Sequence, residues 1–173
     1  MSLRSILLRA YFSQRERAID TFRRHPVETQ ARMFRQLLRR GRRTEFGWRY
    51  NLGRIRTPEQ FASMVETFDY DTFKPYIERM LAGESDVTAP GRVTLFARSS
   101  GTTSDRSKYI PVTRESLWWN HTMGMRDVAT VFAANNPRSK VFDGKTLTLG
   151  GSCRQEGSNL VGDLSAPVSY THL

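Results

Sequence analysis

A change of rhythm at Pro90-Gly91 constrains this chain more than any other feature. Before it, apolar residues recur at helical spacing. After it, Val93-Thr-Leu-Phe-Ala97 reads as a β-rich run, a hydroxyl-rich loop follows, and Lys108-Tyr-Ile-Pro-Val112 is extended again. Thr113 is placed to cap a long helix from about Arg114 to Ala134, which Asn135-Asn-Pro137 ends. Lys145-Thr-Leu-Thr-Leu149, before Gly150-Gly151, reads as a further strand. Strands alternating with a long helix imply an α/β region packed behind an N-terminal helical layer.

Within the helical part, Leu3, Ile6, Leu7 and Ala10 suggest a first amphipathic helix. Pro26 suits the first turn of a second, where no amide donor is missed, with Val27, Ala31, Phe34, Leu37 and Leu38 as its apolar series and Gly41 as its end. Thr44 to Asn51 reads as a turn-rich connection, and Thr57-Pro58 as the start of a short helix through Val65. Another helix is expected from about Thr72, capped by Asp71, with Phe73, Tyr76, Ile77 and Met80 on its apolar side and Gly83 as its stop. The 173 residues suit one domain or a piece of a larger one, and no apolar run approaches the roughly 20 residues of a membrane span. The single cysteine, Cys153, excludes an internal disulfide framework and suits a reducing compartment, so a cytoplasmic protein without membrane contact is expected.

The net charge of +10 is unevenly spread. Residues 1–56 hold fifteen arginines, no lysine and four acids, whereas the rest of the chain is close to neutral. A basic N-terminal third can grip nucleic acid. Against that, the arginines are spread around helices with no interleaved aromatic platform and no nucleic-acid module, so a solvated helical face is the favoured reading and a nucleic-acid-binding module the alternative.

The loop between the two extended runs carries the chemistry. Ser99, Ser100, Thr102, Thr103 and Ser104 offer hydroxyls, Gly101 lets backbone amides approach an anion, and Lys108 supplies a charge. The nucleotide-triphosphatase loop would need a second glycine directly before the lysine and a helix after it. Neither is present, so a helix dipole does not hold an anion here.

Ser99-Ser-Gly-Thr-Thr-Ser with Lys108-Tyr-Ile-Pro111 resembles the ATP-phosphate loop of adenylate-forming enzymes, specifically that of the auxin-responsive promoter family of acyl acid-amido synthetases. Thr44-Glu-Phe-Gly47, Tyr50-Asn51, Lys74-Pro-Tyr-Ile77, Leu147-Thr-Leu-Gly-Gly-Ser152 and Gly162-Asp-Leu-Ser-Ala166 extend the resemblance over most of residues 25–166. It implies an ATP- and Mg²⁺-dependent ligase that adenylates a carboxylic acid, releases pyrophosphate, and passes the acyl group to an amine such as an amino acid. By the same resemblance Ser99 to Ser104 would cradle the β- and γ-phosphates, and Lys108 would be the catalytic cation that steadies departing pyrophosphate. Asp105 departs from the superfamily's loop, where glycine is common.

The resemblance also implies that the helix after the loop borders the acyl pocket. Its stripe of Trp118, Met125, Val128 and Phe132 reads as core, and the adjacent stripe holds Trp119, Met123, Arg126 and Thr130. Trp119 and Met123 could line an acyl site and Arg126 could meet a carboxylate, with plain packing as the competing reading. His121 and Cys153 lack activating neighbours in the sequence and receive no role. The family's AMP-contacting segment, ribose-holding aspartate and mobile C-terminal domain have no counterpart. Residues 1–166 are therefore expected to be an incomplete adenylation domain, mainly helical over 1–89 and α/β over 90–166, inactive alone. Residues 167–173 depart from the family and are expected to be a non-native tail.

Overall fold

A computed structural model describes residues 3–99, 108–141, 143 and 152–163, and the expected strand at Lys145–Leu149 lies outside them. The described residues form a mixed helix and sheet fold in two compact units, one of residues 1–30 and 114–148, the other of residues 31–113 and 149–173. We call these unit one and unit two.

Six helices precede the first strand among the described residues: α1 (Leu3–Ser13), α2 (Glu16–Arg24), α3 (Pro26–Gly41), α4 (Glu45–Arg49), α5 (Pro58–Met64) and α6 (Tyr70–Leu81). Local chemistry sets their ends. Pro26 opens α3 and has no amide to continue α2, while the His25 amide closes α2 by donating to the Thr21 carbonyl at 2.9 Å. Thr57 caps α5 by accepting from the Gln60 amide, with Pro58 at the first position. Gly83, at φ +94°, lies just beyond the end of α6 in the left-handed region, and its amide donates to the Met80 carbonyl.

Two expectations shift here. The connection from Thr44 to Asn51 contains a short helix, α4, because the Thr44 hydroxyl accepts from the Gly47 amide at 3.0 Å and donates to the Gly41 carbonyl at 2.7 Å. Helix α6 begins two residues early, capped by Asp69 rather than Asp71. Asp69 accepts from the Thr72 amide at 2.8 Å while its own amide donates to the Thr72 hydroxyl at 3.1 Å, a reciprocal box that Asp71 cannot form.

Unit two contains a four-stranded sheet of β1 (Leu95–Arg98), β2 (Tyr109–Val112), β3 (Cys153–Glu156) and β4 (Asn159–Asp163), in the order β2-β1-β4-β3. β1 runs antiparallel to β2 and parallel to β4, and β3 and β4 form a hairpin around Gly157-Ser158, with Gly157 at φ +60°. Phe96 of β1 and Val161 of β4, directly opposite, pack with Tyr76, Ile77 and Met80 of α6 and with Val87 and Val93. Phe96 is fully buried, worth about 2–3 kcal/mol of transfer free energy. The Asn159 amide group donates to the Leu81 carbonyl at 2.7 Å and so ties the hairpin to the end of α6.

A second cluster of Leu38, Tyr50, Leu52 and Ile55 lies under α3 and α4. Phe46 and Phe68 contact both clusters, and Phe46, Tyr50, Phe68, Phe73 and Tyr76 form a chain of mostly edge-on rings. Gly47 is required where α4 passes the end of α3. A Cβ there would stand 1.9 Å from the Gly41 carbonyl oxygen.

In unit one, Arg114–Ser116 (α7) continues through a π-helical stretch, Leu117–Thr122, into α8 (Met123–Asn135), so the expected long helix is present with a wider turn inside it. Its stripe of Trp118, Met125, Val128 and Phe132 does not form core. Those residues are 41–71% exposed, and Met123, Thr130 and Ala133 are buried instead. The reason is that α1 and α2 cover the other side of α8. The Thr130 hydroxyl donates to the Phe12 carbonyl, and Arg15 makes a bidentate ion pair with Asp127 at 2.7 and 2.8 Å. Leu3, Ile6 and Leu7 keep helical spacing on α1 but are themselves exposed.

Candidate functional site

Strands β1 and β2 end at the two rims of the hydroxyl loop. Past the last strand pair, Arg98 and Tyr109, the Ser99 amide donates to the Lys108 carbonyl at 2.9 Å, and the Lys108 amide donates to the Ser99 side-chain oxygen at 3.1 Å. This reciprocal pair clamps the loop at its neck. Ser100, Gly101, Thr102, Thr103 and Ser104 lie outside the described residues, so of the expected cradle the structure places Ser99 and Lys108.

Lys108 is positioned by the start of α6. Its ammonium lies 5.1 Å from the centre of the Tyr70 ring, and the Tyr70 hydroxyl accepts from the next amide along, that of Tyr109, at 2.9 Å. Tyr109 in turn donates to Glu156 of β3 at 3.2 Å. One tyrosine thus fixes both the strand after the lysine and the lysine's charge. The lysine is half-buried and forms no ion pair among the described residues. Asp69, at the cap of α6, has its carboxyl held below the usual range by its bonds from Thr72, with the Lys108 charge as a lesser cause.

The parallel pairing of β1 with β4 places Asp163 opposite Arg98, so both strands point their C-terminal ends toward the loop. In open α/β sheets that edge is where ligands bind. Gly162, opposite Ala97, is buried there.

Three other motif segments build the support instead. Thr44 to Gly47 forms the α3–α4 crossing, and the Glu45 and Phe46 amides donate to the Asp86 and Val87 carbonyls at 2.8 and 3.0 Å. Asn51, at φ +52°, turns the chain out of α4. Tyr76 and Ile77 of the Lys74–Ile77 segment are core residues.

The acyl-site candidates belong to unit one and have separate surroundings. Met123 is 7% exposed, and Trp119, on the π-helical stretch, is 42% exposed. The Arg126 guanidinium lies 3.9 Å from the Tyr11 ring centre and donates to the Tyr11 carbonyl at 2.9 Å, so α1 engages its charge. Among the described residues no group of three or more His, Cys, Asp or Glu could hold a metal, and no helix is long and apolar enough to cross a membrane. Tyr70 is the positioning residue that sequence reasoning missed. It stands 38 positions before Lys108, and only the pairing of β2 beside α6 joins them.

Comparison with known proteins fits this geometry. Residues 15–169 match the GH3 family N-terminal domain. Indole-3-acetic acid-amido synthetase GH3.2 of Arabidopsis thaliana is 30% identical over 100 residues, 57% of this chain and 18% of that protein. GH3.10, an indole-3-acetic acid-amido synthetase of the same plant, is 40% identical over 57 residues, 32% of this chain and 10% of its own length. A solved GH3.15 acyl acid amido synthetase shares the fold over 79% of this chain and 25% of its own, with a TM-score of 0.62 at 21% identity. The chain therefore spans under a fifth of these curated relatives.

Proposed function

The chain belongs to the GH3 family, and on that premise we propose that it carries the pyrophosphate side of an acyl acid-amido synthetase whose remaining walls lie in a longer parent protein. The parent activates a carboxylic acid with ATP, releasing pyrophosphate, and an amine such as an amino acid then displaces AMP to give an amide. Ser99 to Ser104 donate to the β- and γ-phosphates, and Lys108 neutralises the charge that builds on departing pyrophosphate. Mg²⁺ carried by ATP would help neutralise the charge on the phosphates that Ser99 to Ser104 and Lys108 receive. ATP as co-substrate and the free thiol of Cys153 suit the cytoplasm.

The observation that carries this reading is the neck of the loop. Lys108 is fixed by Tyr70 and by its backbone exchange with Ser99, and among the described residues its ammonium forms no ion pair. A cation held in place at the mouth of a hydroxyl loop stabilises a transient anion at little reorganisation cost. Residues 1–173 alone lack the adenine and ribose contacts, so they are expected to turn nothing over.

The test is acid-dependent exchange of labelled pyrophosphate into ATP by the parent. Lys108→Ala is expected to lower exchange about 100- to 1,000-fold, as loss of one preorganised donor does. Tyr70→Phe, which keeps the ring under the lysine but removes the acceptor for Tyr109, is expected to reduce it less. Exchange unchanged in Lys108→Ala, or none with any of a panel of carboxylic acids, overturns the reading.

A further inference from the structure

A second basic feature of unit two has no part in that chemistry. A cavity of about 230 Å³ opens between the C-terminal half of α3 and the turn at 51–56. Arg35, Arg39, Arg42 and Arg56 line it above the buried side chains of Leu38 and Ile55, and no acidic side chain lines it. Arg56 is fixed by donating to the Gly53 and Ile55 carbonyls at 2.7 and 2.9 Å. Among the described residues the guanidinium groups of Arg35, Arg39 and Arg42 form no hydrogen bond or ion pair.

Several arginines elsewhere in the chain are paired or stacked. Arg15 is paired with Asp127, Arg79 bridges Glu45 and Glu84, and Arg126 is stacked on Tyr11. Around this cavity Arg35 and Arg39 stand four residues apart and Arg39 and Arg42 three apart, where like charges on a helix repel. No acid falls between Glu28 and Glu45 to relieve them. A multiply charged anion reverses the sign of that interaction. Arginine forks suit phosphate oxygens bidentately, which a point charge or a single carboxylate would use less fully. The cavity is smaller than the roughly 300–1,000 Å³ that takes a nucleoside-sized ligand. Three unengaged forks around one hollow, with Arg56 fixed beside them, suit a compact anion better than an extended strand.

We propose that this cavity binds a small polyanionic phosphate of the inorganic pyrophosphate class, at a site distinct from the Ser99–Lys108 loop. The site needs no residue of the loop, so its fate is independent of the ligase reading.

The probe is inorganic pyrophosphate titrated calorimetrically into the 173-residue chain carrying Lys108→Ala, which removes the loop's cation. Binding with Kd on the order of 100 µM at low salt is expected. Arg35→Gln with Arg39→Gln should weaken it tenfold or more, whereas Arg17→Gln with Arg32→Gln, which removes the same charge elsewhere, should change it less than twofold. A mutation-free readout accompanies this. Pyrophosphate should protect Arg35, Arg39 and Arg42 from phenylglyoxal in the unsubstituted chain, as mapped by peptide mass, and leave Arg17 reactive. No binding at millimolar pyrophosphate, equal weakening in both double variants, or uniform protection overturns the proposal. So does tighter binding of a single-stranded RNA oligonucleotide than of pyrophosphate at 150 mM salt, which would make the surface a nucleic-acid contact.

Discussion

Unit two buries Phe96, Val161, Met80, Ile55 and Val87 to 2% exposure or less, whereas the most deeply buried side chains described in unit one are the hydroxyls Ser5 and Thr130. Unit one instead relies on polar links between helices. Arg9 donates to the carbonyls of Ala133, Asn136 and Ser139 at the end of α8, and Arg15 grips Asp127. Several of its large apolar side chains, Leu3, Leu7, Met125 and Val128, are 62–73% exposed. The same residue type thus serves as a clamp in one unit and, at the α3 cavity, as an unpaired charge in the other. The contrast bears on the proposed function, because a loop meant to hold phosphate needs a rigid neck and unit two supplies the packed sheet beside Ser99 and Lys108.

The comparison breaks most visibly at Phe96. Phe96→Ala should destabilise unit two by about 3–5 kcal/mol, since it removes a fully buried ring opposite Val161, while Met125→Ala should stay within about 0.5 kcal/mol. Urea unfolding followed by circular dichroism measures both. Equal effects would show that Met125 is covered as Phe96 is.

A smaller effect sharpens the other side of the contrast. Arg15→Gln leaves Asp127 without its bidentate partner, and because both side chains are partly solvated the loss should be about 1–2 kcal/mol. The Asp127 bond, ahead of any longer-range attraction, holds the Arg15 guanidinium above its ordinary pKa. Amide hydrogen exchange should quicken in α2 and α8 and stay unchanged in β1 and β4. Faster exchange in the sheet would mean that the two units open together.

These differences explain what the sequence could disclose. Helix starts written in local chemistry, Pro26 and Thr57-Pro58, are legible because a cap depends on three or four neighbouring residues. Asp69 and Asp71 compete for one cap, and only the reciprocal partner Thr72 decides between them. The spacing of Trp118, Met125, Val128 and Phe132 announces a helix but not which side its neighbours cover, since that depends on α1 and α2 more than 90 residues earlier. The hairpin β3–β4 was not anticipated. Cys153-Arg-Gln-Glu156 has no apolar alternation because the strand is exposed at the sheet edge, although Gly157-Ser158 between the two segments is a hairpin signal. At the site, Lys108 and the strand after it are readable, whereas the Tyr70 contact is a tertiary fact.

The smallest expected effect tests whether the aromatic bridge between the clusters of unit two is held by its hydrogen bond as well as its packing. Tyr50 donates to Glu66, and that bond, ahead of burial, pushes its phenol up to about 12 from an ordinary value of 10. Arg49, 5.7 Å from the ring centre, pulls in the opposite direction. A folded-state value above the unfolded one means the neutral phenol is favoured by folding. The stability it contributes is therefore complete below about pH 10, where the unfolded tyrosine is also neutral, and is lost as the pH rises through 10 to 12. Tyr50→Phe keeps the ring contacts with Phe46 and Phe68 but removes this proton. The difference in urea midpoint between the native chain and Tyr50→Phe should be constant from pH 7 to 9 and shrink steadily above 10. A gap that widens with pH would mean that Arg49 stabilises the phenolate more than Glu66 opposes it, and would reassign Tyr50 from hydrogen-bond donor to the partner of a cation.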